Sequence, residues 1–191
     1  MDVDSRPVSN LQEVIETEVK EWHFHIYFMQ KNADQHYNAL NLRDAILRLR
    51  REGAFVAVPL FRVNTEPMGP HPIGSYEVWV PAETFSSVFS YLCMNHGELS
   101  VLVHPLTREE RKYVQDHEIR AAWIGPALPL DFSTLALRRE DLPLQYPSLK
   151  LGYSSSTPNL SLDDRRRLGA NVENLLANEK GAARAPVSYD H

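Results

Sequence analysis

One cysteine, Cys93, stands alone in 191 residues. No internal disulfide can form, so a disulfide-stapled secreted scaffold is excluded and a reducing cytoplasm is the expected compartment. The thiol itself is expected to be a small buried hydrophobe. Positive charge is short as well: 20 Lys and Arg face 25 Asp and Glu, for a formal net charge of -5. A general nucleic-acid binder concentrates a surplus of cations on one face, so the balance argues against one, and polyanions are poor candidates as partners. Long apolar runs are absent, and the opening MDVDSRPVSN carries acids where a secretory leader would carry an apolar core. A membrane partner is therefore not expected. No repeat of solenoid type is visible.

What remains is the composition of an ordinary globular protein, 43% apolar and 24% charged. The length suits one buried domain with tails. Residues 1–20 are polar and weakly periodic and read as a flexible segment. The periodic core runs over 21–125. Residues 126–191 form a Pro-rich extension whose only regular feature is a weak helix over Ser161 to Asn178, and no chemistry can be read from it.

Inside the core, WHFHIYF from Trp22 alternates with period two and predicts a strand. Ala39, Leu42, Ile46 and Leu49 recur at helical spacing and Gly53 supplies a stop, predicting a helix. AFVAVPLF from Ala54 reads as a second strand, placed at an edge because Pro59 has no N–H for a central ladder. SYEVWV from Ser75 gives a third strand. Phe85, Val88, Phe89 and Leu92 give a second helix opened by Pro81, and LSVLVHP from Leu99 gives a fourth strand. The order βαββαβ is the ferredoxin-like split βαβ, an α+β sandwich with an antiparallel sheet and two helices on one face. Its expected strand order is 4-1-3-2, with strand three taken as parallel to strand one. Thr107 with Glu110 is a possible capping box for a short helix leading to His117.

Eight histidines are present, and five fall where this topology can gather them. His23 and His25 are two apart on strand one and share a face, while Phe24, Ile26 and Phe28 share the other. Aromatic and aliphatic side chains suit the helix-covered face, so the imidazoles look to the open one. The same alternation puts His104 of strand four on the open face. His71, in the loop feeding strand three, and His117, after strand four, are expected to arrive at the same place. His36 and His96, on the helices, stay outside it. An imidazole-rich site suits iron, zinc, copper or nickel, and the ligands alone do not choose among them. Glu77, on the open face, is the carboxylate that could complete a two-histidine, one-carboxylate set; it reads equally well as a polar residue on a half-exposed strand. The long loop Asn64 to Pro72 is of the kind that carries function. Tyr27 and Trp79, also on the open face, are expected as aromatic pocket walls.

Four strings in order, HFHIYF, GPHPIGSYE, LSVLVHPLT and DHEIRAAWIG, covering Trp22 to Gly125, resemble the DOPA 4,5-dioxygenase family. That resemblance implies a ferredoxin-like fold, a homodimer or higher homo-oligomer, and a mononuclear non-haem Fe(II) cofactor. It also implies extradiol cleavage of a catechol such as DOPA by O2 to a muconic semialdehyde. The family histidines carry over onto His23, His25, His71, His104 and His117. Of these, His23, His25 and His104 are assigned to the metal, and His71 and His117 to acid, base or substrate contact. The competing readings are a non-catalytic dimeric module that binds a small aromatic ligand or a partner on the open face, and a cofactor-free monooxygenase. Oxygen consumption and its survival after chelation separate the three.

Overall fold

The computed structural model describes residues 7–108, 115–135, 141–142, 144–156 and 160–185. The chain forms two compact units: Glu18–Ser155, and Met1–Thr17 with Ser156–His191. The second of these contains α1 (Leu11–Glu16) and α4 (Leu162–Leu176). α4 starts with a reciprocal capping box between Ser161 and Asp164, which satisfies two N-terminal donors.

The larger unit holds β1 (Glu21–Phe28), α2 (Ala33–Glu52), β2 (Val58–Pro59), β3 (Gly74–Pro81), α3 (Phe85–Asn95), β4 (Ser100–Pro105) and β5 (Ala122–Ile124). The sheet order is β2-β3-β1-β4-β5, so the expected 4-1-3-2 arrangement is present with one strand added beside β4. α2 starts at Asn32, whose side chain accepts from the amides of Asp34 and Gln35, and ends at Gly53 in the left-handed conformation, φ 87°. Phe24, Ile26 and Phe28 of β1, with Val78 and Val101, pack under Ala39, Leu42 and Ile46 of α2 and Val88 and Leu92 of α3. Each large apolar side chain buried this way contributes about 1.5–3 kcal/mol. Period-two alternation thus leaves His23, His25, Tyr27, Ser75, Glu77, Trp79, Leu102 and His104 together on the opposite face.

Three expectations need correction. β3 runs antiparallel to β1, with Gly74 opposite Phe28 and Pro81 opposite Glu21. The crossover through α2 sets β2 parallel to β1, and the short connection into β3 then reverses the direction. The start of β3 therefore lies at the far end of β1 from His23. β2 is only two residues long: beyond Pro59, the carbonyls of Leu60 and Phe61 accept from Arg43 on α2. Cys93 is exposed, because Val88 and Leu92 define the buried side of α3 and the next residue turns away from it.

The expected capping box of Thr107 and Glu110 falls partly outside the described residues. The Thr107 amide and hydroxyl instead donate to Asp116, at 2.9 and 2.8 Å. The sheet-bearing unit also extends 30 residues past Gly125, to Ser155. Glu21, 2% exposed, accepts from the Trp79 indole at 2.9 Å and from the Tyr153 amide at 3.1 Å. Tyr153 in turn donates its hydroxyl proton to the Leu106 carbonyl at 2.8 Å. Gly152 lies so close to Glu21 that a Cβ there would meet Glu21 Cγ at 2.5 Å. No described helix is long and apolar enough to cross a membrane.

Candidate metal centre

β1 and β4 supply the floor of the site. His23 stands directly opposite His104 in the ladder, and His25 opposite Leu102. All three imidazoles are buried, and one ring nitrogen from each lies within 4.8 Å of the others. The nearest pair is His25 Nε2 and His104 Nε2, 3.0 Å apart. Two nitrogens about 2.1 Å from one metal and at right angles to each other are separated by about 3.0 Å. The spacing suits an N–H···N hydrogen bond in the metal-free site and equally two ligands of one ion.

His104 is also fixed in the form a ligand requires. Its Nδ1 lies 2.9 Å from the Pro105 carbonyl, which only accepts, so Nδ1 carries the proton and Nε2 keeps its lone pair. Orientation of a metal-binding imidazole by a backbone carbonyl is the common arrangement. His23 is held from another side. Gln145 donates from Nε2 to Glu77 Oε1 at 2.8 Å and turns its own oxygen to His23 Nε2 at 3.0 Å, while Glu77 Oε1 lies 3.2 Å from the same nitrogen.

His71 and His117 complete the cluster. The β2–β3 connection makes a tight turn in which Met68 and His71 exchange backbone hydrogen bonds at 3.1 Å, with Gly69 at φ 56°. This turn returns His71 to within 4.2 Å of His25, ring centre to ring centre. The imidazole therefore arrives by a fold-back of the loop and not by strand direction. Its Nδ1 lies 2.7 Å from the Tyr27 hydroxyl. His117 sits in a single π-helical turn, Gln115–Ile119, with its ring 3.9 Å from that of His104. Its Nδ1 is buried without a partner among the described residues, which costs about 1–3 kcal/mol unless something else engages it. A metal or a substrate oxygen in the cavity would do so.

Burial, reinforced by neighbouring imidazoles, holds His25 and His104 well below the usual histidine range. The same causes bring His71 down to about 4 and His117 to about 3. Rings kept neutral in this way are ready to bind a cation without first losing a proton. The described donors fit a nitrogen-preferring transition metal, and His23, His25 and His104 can hold it.

Above the floor lies a cavity of about 470 Å³, within the range of small-molecule sites. The five histidines and Glu77 line it, together with apolar walls from Pro70, Leu106, Leu135 and Leu144. Tyr27 and Trp79 are not walls. Both are about 1% exposed and lie beneath the cavity, Tyr27 bonded to His71 and Trp79 to Glu21. His36 stacks on Phe28 and His96 bonds the Leu99 carbonyl, both away from the cluster. Two polar residues of the cavity have no signature in the sequence. Asp116 is 1% exposed, with its pKa raised by burial, and accepts from Thr107 and Arg120. Gln145 comes from the Pro-rich stretch, where no period marks it.

A ferredoxin-like α+β sandwich with a buried histidine cluster lining a half-open cavity over its free sheet face is the architecture of a small dioxygenase. Residues 22–134 match the model of the Dopa 4,5-dioxygenase family, and the chain belongs to that family. It is 64% identical to a DOPA 4,5-dioxygenase of Amanita muscaria, over 96% of this chain and 79% of the relative. An uncharacterized 21.2 kDa protein of Botryotinia fuckeliana is 42% identical over 57% of this chain and 60% of its own. Among solved structures, a Nostoc punctiforme protein described as a candidate dioxygenase superposes with a TM-score of 0.52 at 30% identity. That match covers 63% of this chain and 93% of the other.

Proposed function

We propose that this dioxygenase is an Fe(II) enzyme that opens the ring of DOPA or a closely related catechol next to the diol, giving a muconic semialdehyde. Both atoms of O2 enter the product and one ring carbon–carbon bond breaks. The reading is supported above all by five imidazoles converging on one cavity. The Amanita relative's activity and the all-nitrogen floor agree with it. His23, His25 and His104 hold the iron, with Glu77 and Gln145 orienting His23. Bound iron supplies a Lewis acid for the catechol oxygens and an open position for dioxygen.

The protein's own groups do the rest. Pro70, Leu106, Leu135 and Leu144 give the ring an apolar enclosure and keep water from it. His71 and His117 line the cavity and are neutral at physiological pH. They handle protons and oriented hydrogen bonds as charge shifts on the substrate oxygens. A homodimer or higher oligomer in the cytoplasm remains the expected form.

The test loads the full-length protein anaerobically with Fe(II), adds DOPA, and then admits air. Stoichiometric oxygen uptake with a yellow ring-opened product is expected. Failure to take up oxygen with DOPA and several other catechols, in protein that has bound iron, would leave a ligand-binding module. Turnover that survives exhaustive chelation would point to cofactor-free chemistry.

A further inference from the structure

A hydroxyl group has one proton, and where that proton goes can be decided at Tyr27. The side chain is 1% exposed, so water does not receive it. Among the described residues its hydroxyl has a single hydrogen-bond partner, His71 Nδ1 at 2.7 Å. Were the imidazole to donate from Nδ1, the phenolic proton would be left buried without an acceptor, an arrangement native structures avoid. Tyr27 therefore donates, Nδ1 accepts, and the neutral ring carries its proton on Nε2. Nε2 makes no bond to any described residue, and His71 lines the cavity.

We propose that Tyr27 is a positioning residue that locks His71 in the Nε2–H form, so that His71 offers the cavity a hydrogen-bond donor and not a lone pair for a metal. His104 and His71 are then opposites made from one side chain. At His104 a carbonyl accepts from Nδ1 and frees Nε2 to ligate. At His71 a phenol donates to Nδ1 and occupies Nε2 with hydrogen. Trp123, its ring 5.5 Å from that of Tyr27, and the strand position opposite Ser100 keep the phenol in place. A fixed N–H pointing at a cavity stabilises an oxygen that gains negative charge there, at no cost in reorganisation. The role in turnover rests on the dioxygenase reading above; the proton position does not.

The experiment records long-range proton–nitrogen correlations on full-length protein labelled with [15N]histidine, metal-free and loaded with diamagnetic Zn(II). The His71 signals are identified by their loss in His71→Gln. Protonated Nε2 and hydrogen-bonded, unprotonated Nδ1 are expected in both samples. A proton on Nδ1, or a rapidly averaging mixture, overturns the proposal, and this wild-type result stands even where a variant fails to fold. In Tyr27→Phe the His71 ring should move to the Nδ1–H form or a mixture. The Fe(II)-loaded variant should lose about tenfold in kcat on DOPA with KM within about twofold, the pattern of a lost transition-state interaction. Retention of the wild-type tautomer in Tyr27→Phe removes Tyr27 as the lock. A wild-type protein that shows the expected tautomer but turns over no catechol would sink the function and leave the lock standing.

Discussion

Lowering the pH of the metal-free protein should weaken it steeply, through the same imidazoles that make the site. In the unfolded chain a histidine takes its proton near 6.5, while folded His71 and His117 wait until about 4 and about 3. Between those values the unfolded state binds more protons, so stability falls as pH falls. It is fully present above about 6.5 and disappears progressively towards the folded values. At about pH 4.5 each of the two groups accounts for a loss of about 2–3 kcal/mol, roughly 5 kcal/mol together. His25 and His104, lowered further by burial, act in the same direction. Glu21 and Asp116, raised by burial, oppose it, since in the folded state they are eased by protonation. Urea unfolding followed by circular dichroism, in chelator, at neutral pH and about pH 4.5, measures the difference. With an m-value of about 2 kcal/mol/M, the His71 and His117 share alone should lower the midpoint by about 2.5 M. A midpoint that does not move, or rises, over this interval would refute the neutral, crowded histidine cluster. The drop should shrink by about 2.5 M in the His71→Gln/His117→Gln protein.

Replacement of His104 by Ala should weaken metal binding by more than the roughly 10–100-fold typical of losing an orienting partner, read by titration of Co(II) absorbance; normal loading would remove His104 from the ligands. Gln145→Leu strips His23 and Glu77 of their bridge, and metal affinity should fall by about 10–100-fold with the circular dichroism spectrum unchanged. Gly152→Ala combines φ 62° with a contact at 2.5 Å to Glu21; thermal unfolding should report a loss of about 2–4 kcal/mol.

Much of this was legible from periodicity. In WHFHIYF the two faces of β1 can be sorted residue by residue, because a strand has period two and only one face is covered by helices. Pro59 marked its strand as an edge for want of an N–H, and so it is. His23 and His104 meet as expected, since they follow from strand order and alternation alone. His71 reaches the cluster by a route other than strand direction. Alternation says nothing about a loop, and the turn at Met68–His71 that returns it depends on backbone conformation at Gly69. Gln145 and Asp116 were invisible because irregular chain carries no period, and their partners lie 68 and 9 residues away in sequence. Tyr27 and Trp79 lie on the expected face but deeper than pocket walls would. Both are overlaid by chain whose course no pattern announces, as Tyr146 against the Trp79 ring shows at 5.2 Å.

The apolar walls of the cavity come from separate loop segments, Pro70 before β3, Leu106 after β4, and Leu135 and Leu144 farther along, while the imidazoles proposed to hold the metal stand on paired strands. Chemistry and selectivity are thereby entrusted to different kinds of backbone, one stiff and one tolerant of insertion and exchange. A descendant of this chain can come to accept a bulkier or differently decorated ligand by swapping a wall, without disturbing the imidazoles on the strands below.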